Sequence, residues 1–128
     1  MKLDAIGIIV RDLAEAAAFY RLLGLEFPEP GPEEGHVEAV GPGGMRIMLD
    51  TESLIQSLMP EWQAPVGGHR VGLAFLCDSP EEVDRLCSDL QAKGAGVLKE
   101  PFDAFWGQRY AVVLDPSGNP VDLFAPLE

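Results

Sequence analysis

Histidine and cysteine are scarce in this chain, with two of each. Cys77 and Cys87 do not form a C-x-x-C pair, so two buried thiols are expected rather than a disulfide or a zinc site. No apolar run approaches the roughly 18 residues that span a bilayer. The start, Met1-Lys2-Leu3-Asp4, lacks the long apolar stretch and small-residue cleavage site of a signal peptide, which predicts a cytoplasmic protein. There is no nucleophile elbow and no obvious catalytic triad. Basic residues are also few: 9 Lys and Arg stand against 21 Asp and Glu, a formal net charge of -12. Such a field repels nucleic acid and anionic membrane, so neither is expected as a partner, and it attracts cations. Most of these carboxylates serve solubility; the sharper expectation is a preference for a cationic small-molecule ligand.

The 128 residues suit a single domain, and a hydrophobic fraction of 47% against 23% charged allows a real core. Lys2 to Val10 is apolar and β-branched, and reads as a strand. Asp12 is a helix N-cap with Glu15 in a capping-box position. Ala14 to Leu23 follows as a helix, stopped by Gly24. Leu25 to Phe27 reads as the start of a second strand, and Pro28 to Gly35 as a loop. His36 to Val40 and Met45 to Asp50 are strands around the turn Gly41-Pro42-Gly43-Gly44. Residues 51–68 read as a connector with a short helix from Glu52 to Met59, interrupted by Pro60, Pro65, Gly67 and Gly68.

The order then repeats. His69 to Cys77 is a strand, and Ser79, Pro80 and Glu82 begin a helix whose apolar face holds Val83, Leu86 and Leu90. Gly94 caps that helix. Val97 to Lys99 is a strand and Glu100 to Trp106 a loop. The chain closes on a hairpin. Gln108 to Leu114 suits a pleated, half-buried surface. Asp115-Pro116-Ser117-Gly118 turns, because Asp bonds its own backbone, Pro pre-sets φ and Gly tolerates φ > 0. Val121 to Leu123 returns as a strand, with Val121 and Leu123 on one face and Asp122 on the other. Both halves therefore read βαβββ, module one over residues 1–50 and module two over 69–128. Asp12 matches Asp78, Gly24 matches Gly94, and 44–49 matches 118–123. Two copies of about 60 residues are too few and too long for a solenoid; side by side they could form a curved sheet with a cleft and helices outside.

Asp12-Leu13 followed by Phe19-Tyr20-Arg21-Leu22-Leu23-Gly24-Leu25 resembles a family pattern of Asp-Leu, Phe-Tyr and Leu-Gly. Trp106-Gly107 and then Asp115-Pro116-Ser117-Gly118-Asn119-Pro120-Val121-Asp122-Leu123 resembles its C-terminal signature. The family is the vicinal oxygen chelate superfamily, which holds glyoxalase I, bleomycin-resistance proteins and extradiol dioxygenases. The resemblance covers nearly the whole chain. It implies an α+β fold in which two βαβββ modules make an open, mostly antiparallel barrel with a concave site. It also implies a homodimer, the arrangement of many members.

Metal-dependent members place His and Glu ligands at matching strand positions of the two modules. Carried onto this sequence, those positions are Ala5, Met48, Gly72 and Asp122. Only Asp122 is an acid, Ala5 and Gly72 offer no ligand, and a Met thioether suits hard cations poorly. No metal and no other cofactor are therefore expected. His69 lies near the start of the second-module strand; His36 opens a strand after an acidic loop and is expected to be exposed.

The candidate ligand-binding residues are Arg46, Met48, Trp62, Phe102, Trp106, Arg109, Tyr110 and Asp122. Each has a plainer reading beside the functional one. Arg46 and Arg109 would pair surface acids, Trp106-Gly107 would be a packing corner, and Trp62 a dimer contact. Three functions follow, in order. The first is a metal-free small-molecule-binding protein similar to bleomycin-resistance proteins, which sequesters a cationic or aromatic ligand. The second is a metal-dependent lyase, isomerase or dioxygenase, using His69 with Asp122 and an acid such as Glu38 or Asp50. The third is a metal-free enzyme with Asp122 as general base and Arg46 or Tyr110 stabilising an oxyanion.

Overall fold

The computed structural model describes residues 1–128. The fold is α+β, with three helices and two mixed sheets of three and four strands, neither closed on itself. The chain divides into two compact units, Met1–Val66 and Gly67–Glu128. No helix is long and apolar enough to cross a membrane.

The first unit contains β1 (Ala5–Val10), α1 (Leu13–Leu22), β2 (His36–Val40), β3 (Arg46–Thr51) and α2 (Glu52–Leu58). The central strand is β3, parallel to β1 and antiparallel to β2. Strand alternation sends Val37, Ala39, Ile47 and Leu49 to a buried face. Helix α1 packs against β3 and buries Leu13, Ala16, Ala17, Phe19 and Tyr20. The Asp12 carboxylate accepts the Glu15 amide at 2.8 Å, as an N-cap should. At the other end Leu25 N–H donates to Tyr20 C=O and Gly24 N–H to Arg21 C=O, with Gly24 at φ 94°. This double bond pattern uses up the last helical carbonyls and needs a residue that tolerates positive φ.

One expected strand is missing here. Leu25 to Phe27 buries Leu25 and Phe27 but joins no ladder; Phe27 N–H turns back on Leu25 O at 3.2 Å instead. The Arg21 guanidinium takes the carbonyls a neighbouring strand would take, with Nε on Phe27 O at 2.8 Å and Nη2 on Pro28 O at 2.9 Å. Pro28, Pro30 and Pro32 follow at once and cannot donate to a ladder. The first unit is therefore βαββ with an added helix α2, whose N-cap is Thr51.

The second unit contains β4 (Leu73–Leu76), α3 (Pro80–Ala92), β5 (Val97–Ala104), β6 (Gln108–Leu114) and β7 (Pro120–Pro126), and it keeps the full βαβββ order. Its sheet runs β4-β7-β6-β5, with β4 parallel to β7 and the remaining pairs antiparallel. Ala111, Val113, Val121, Leu123 and Ala125 have no exposed surface. Val83, Cys87 and Leu90 of α3 are buried, and α3 packs on β6 and β7. Burying a side chain such as Leu123 contributes about 1.5–3 kcal/mol. Cys77 and Cys87 are free and buried, as expected, and burial pushes both thiols up.

Strand β1 begins at Ala5 rather than Lys2 and β7 runs on to Pro126, but the largest boundary shifts are at β4 and β5. Strand β4 is shorter than His69 to Cys77, because the exposed segment 67–72 carries Gly67, Gly68 and Gly72 and pairs with nothing regular. Conversely, β5 runs on through Glu100 to Ala104, where a loop was expected. Pro101 sits in a register irregularity between Lys99 and Phe102. The strand is at the sheet edge, where a missing N–H costs no ladder bond.

Candidate functional site

The closing hairpin is built by its turn. The buried Asp115 carboxylate accepts Ser117 N–H at 2.8 Å and Asn119 N–H at 2.9 Å through Oδ1. Its Oδ2 accepts Asn119 Nδ2 at 2.9 Å, and Gly118 N–H closes the turn on Asp115 O at 2.9 Å. With β6 and β7 so fixed, alternation puts Val121 and Leu123 under α3 and turns Asp122 and Phe124 to the half-buried face. Val112 and Ala74 are the ladder partners of Asp122.

That face collects four of the sequence-predicted residues. Tyr110 and Phe124 are ladder partners whose rings stack with centroids 6.1 Å apart and planes 27° from parallel. The Tyr110 hydroxyl donates to Asp122 Oδ2. Phe102 pairs with Tyr110 across the β5–β6 ladder. Trp106 meets Tyr110 edge to face at 5.4 Å and Phe102 at 6.2 Å. Its indole N–H donates to Gln108 Oε1 at 2.8 Å. The hairpin turn Ala104-Phe105-Trp106-Gly107 holds this corner, with Gly107 N–H on Ala104 O at 3.0 Å and Gly107 at φ 91°. Phe105 is 97% exposed and packs only edge to face on Trp106 at 5.0 Å. Lys99 Nζ lies 4.8 Å from the centre of the Phe102 ring, so this face already draws one cation of the chain. Desolvation, and then the neighbouring Asp122 carboxylate, push the Tyr110 hydroxyl from its ordinary 10.0 up to about 12. Tyr110 therefore stays a proton donor to Asp122 at neutral pH.

The other four candidates stand elsewhere. Arg109 neighbours Tyr110 and so points to the opposite, α3 side of the sheet. Its guanidinium is taken by Asp84 of α3 at 2.9 Å and by Asp103 at 3.1 Å. Those carboxylates raise its pKa further. Arg46, Met48 and Trp62 belong to the first unit. Trp62 follows α2, and its carbonyl accepts from Gln56 at 3.3 Å. Arg46 bridges Asp4 at 2.9 Å and Glu38 at 2.7 Å. Met48 lies between Gly7 and Glu38 in the ladder.

The sequence reading missed His36. It is half-buried rather than exposed, with Nδ1 2.5 Å from Asp50 Oδ1 and Nε2 2.8 Å from Glu38 Oε2. Period two along β2 puts His36 and Glu38 on one face, but only the 36↔50 register brings Asp50 beside them. The Asp50 and Glu38 carboxylates raise the His36 pKa, while Arg46 and then His36 lower that of Glu38.

The four positions that the resemblance implies for a divalent ion do not fit one here. Ala5 and Gly72 have no donor atom, Met48 is a soft thioether, and Asp122 already receives the Tyr110 hydroxyl. His69 is exposed in the segment before β4. No group of three or more His, Cys, Asp or Glu side chains is disposed to hold a metal ion.

Similar proteins share this architecture. A solved glyoxalase/bleomycin resistance protein/dioxygenase family enzyme from Burkholderia phytofirmans is 25% identical, with a TM-score of 0.82 over 99% of this chain and 100% of that one. A glyoxalase/bleomycin resistance protein/dioxygenase from Nocardioides is 27% identical, with a TM-score of 0.73 over 100% of this chain and 85% of that one. A glyoxalase-related enzyme from Fulvimarina pelagi, at 20% identity and a TM-score of 0.79 over 97% of this chain and 87% of that one, shares the fold. No curated protein matches the chain by sequence. The family model for the Glyoxalase/Bleomycin resistance protein/Dioxygenase superfamily matches residues 2–123, and the chain belongs to that superfamily.

Proposed function

We propose that the chain is a small-molecule-binding protein that works without a metal and takes a cationic or aromatic ligand on the half-buried face of its second sheet. The carrying observation is the Tyr110–Phe124 stack with the Asp122 carboxylate held at its edge by the Tyr110 hydroxyl. Ring faces attract a cation by about 0.5–2 kcal/mol, more as water is excluded. A carboxylate beside them supplies the counter-charge and a directional acceptor. Trp106 and Phe105 offer further aromatic surface at the hairpin tip, and a net charge of -12 steers cations inward. The homodimer and the cytoplasmic location expected from the sequence belong to the same reading.

Isothermal titration of the metal-stripped protein with a bleomycin-type cationic drug tests the proposal. Wild type should bind, with quenching of tryptophan fluorescence. Asp122→Asn should weaken binding by about 10- to 100-fold, the range of a charged hydrogen bond worth about 1.5–3 kcal/mol. Trp106→Ala should weaken it less and remove most of the quenching. Binding untouched by either substitution would overturn the site. A stoichiometric divalent ion in freshly purified, untagged protein would overturn the metal-free reading.

A further inference from the structure

The part-exposed face of the first sheet carries five ionisable groups in a row, acids alternating with bases: Asp4, Arg46, Glu38, His36 and Asp50. Arg46 spans Asp4 and Glu38 at 2.9 and 2.7 Å. His36 spans Glu38 and Asp50 at 2.8 and 2.5 Å. The groups come from the chain ahead of β1, from β2 and from β3. An ionised carboxylate only accepts hydrogen bonds, and a neutral imidazole has one N–H and one bare nitrogen. Both carboxylate contacts of His36 can therefore be good only when both ring nitrogens carry protons. A neutral ring must face one carboxylate with a lone pair.

We propose that Asp4, Arg46, Glu38, His36 and Asp50 form a proton-operated latch. With His36 as imidazolium, both ring nitrogens are engaged, Nδ1 with Asp50 of β3 and Nε2 with Glu38 of the ring's own strand, while the ties of Arg46 to Asp4 and Glu38 stand whatever the state of the ring. Loss of one proton releases Glu38 from His36 and leaves an imidazole oriented by Asp50, with a bare Nε2 turned to the part-exposed face. The contact to Asp50 survives because it is the shorter one and because Asp50 is 17% exposed against 39% for Glu38. Glu38 keeps its bond to Arg46. The released ring is the arrangement of an acid–base or ligand-accepting histidine, with a carboxylate fixing its tautomer.

The charges facing the ring come from two strands. Asp50 approaches from β3, Glu38 from the ring's own strand, and Arg46 acts through Glu38. Helix α2 presents Leu54 and the Thr51 cap beside Gly35, and the first acid of that helix is Glu52. Strand β1 contributes Gly7 and Ile9 opposite Met48 and Asp50, neither titratable. Both carboxylates raise the pKa of His36. The sign follows: the stabilisation is complete below the ordinary value of 6.5 and is lost as pH rises through the raised value.

Side-chain NMR titration of the whole protein tests the latch, with His69→Gln assigning the second histidine. His36 should titrate above 6.5. Glu38→Gln and Asp50→Asn should each lower that midpoint, and the alkaline form should be the Nδ1–H tautomer. Between about pH 6 and about pH 9 the Tm of wild type should fall more than that of His36→Gln. A midpoint at or below the ordinary value, an alkaline Nε2–H tautomer, or equal Tm losses in wild type and His36→Gln would each overturn the proposal. If Asp50→Asn does not fold, Glu38→Gln alone decides the midpoint, since Glu38 is the less buried of the two carboxylates.

Discussion

At matching ladder positions the first unit carries Arg46, Met48 and Asp50 on β3, while the second carries Pro120, Asp122 and Phe124 on β7. On the parallel neighbour strands, Gly7 faces Met48 and Ala74 faces Asp122, so the registers agree. The helix-covered faces agree as well: Ile47 and Leu49 are buried, as are Val121 and Leu123. The two units thus keep one set of positions nearly unchanged and diverge on the other. Burial tolerates only apolar residues of similar volume on the covered side. The half-buried side is free to become a charge ladder in one unit and an aromatic–carboxylate surface in the other. Chemistry is written on the face that packing does not dictate.

The largest effects should appear where the units agree. Leu49→Ala and Leu123→Ala each remove a side chain with no exposed surface, and each should cost about 2–5 kcal/mol in urea denaturation. A small effect at one of the two would break the equivalence of the covered faces.

The next test separates the turns. Asp115 holds its hairpin through Ser117 and Asn119, whereas the Gly41–Gly44 turn is closed by the Gly44 N–H to Gly41 O bond at 3.0 Å. Asp115→Ala should cost about 1.5–3 kcal/mol, as expected for hydrogen bonds to a charged acceptor. Hydrogen exchange should rise in β6 and β7 and leave β2 and β3 protected.

A smaller and equal effect is expected at the repeated glycines. Gly44 at φ 89° and Gly118 at φ 89° leave open space where a side chain would begin. Substitution by Ala at either should cost only the left-handed strain, about 1–2 kcal/mol. The finest distinction is spectroscopic. Phenolate absorbance, with Tyr110→Phe subtracted to remove Tyr20, should place the Tyr110 midpoint near 12. Asp122→Asn should lower that midpoint without restoring the ordinary value, because burial is the larger cause. Since the unfolded chain gives up this proton first, stability should drop as pH rises from about 10 toward 12.

Features written in neighbouring residues could be read from the sequence. The caps at Asp12 and Ser79, the stops at Gly24 and Gly94 and the turn from Asp115 to Gly118 each need only a few consecutive side chains. Strand alternation placed Asp122 opposite Val121 and Leu123 for the same reason. Two elements were hidden because tertiary context overrides local preference. Arg21 replaces the strand partner of Leu25 to Phe27, and the sheet edge admits Pro101 into β5. The His36 ladder was hidden because it depends on which residue of β3 lies beside His36. Arg109 was separable from Tyr110 by alternation alone, since adjacent strand residues cannot share a face.

The irregular edge strand β5 has a consequence for how the protein behaves in a crowded solution. An exposed strand is a template onto which another chain can add. Here the outer strand bears exposed Lys99 and Glu100, followed by Pro101 with no amide hydrogen to offer, and its register is broken between Lys99 and Phe102. A second molecule arriving with a flat strand would meet fixed charge and a gap in the row of donors. Phe102, just past the irregularity, meets Trp106, and the sticky aromatic tip at Phe105 sits in the turn that follows this aggregation-resistant strand.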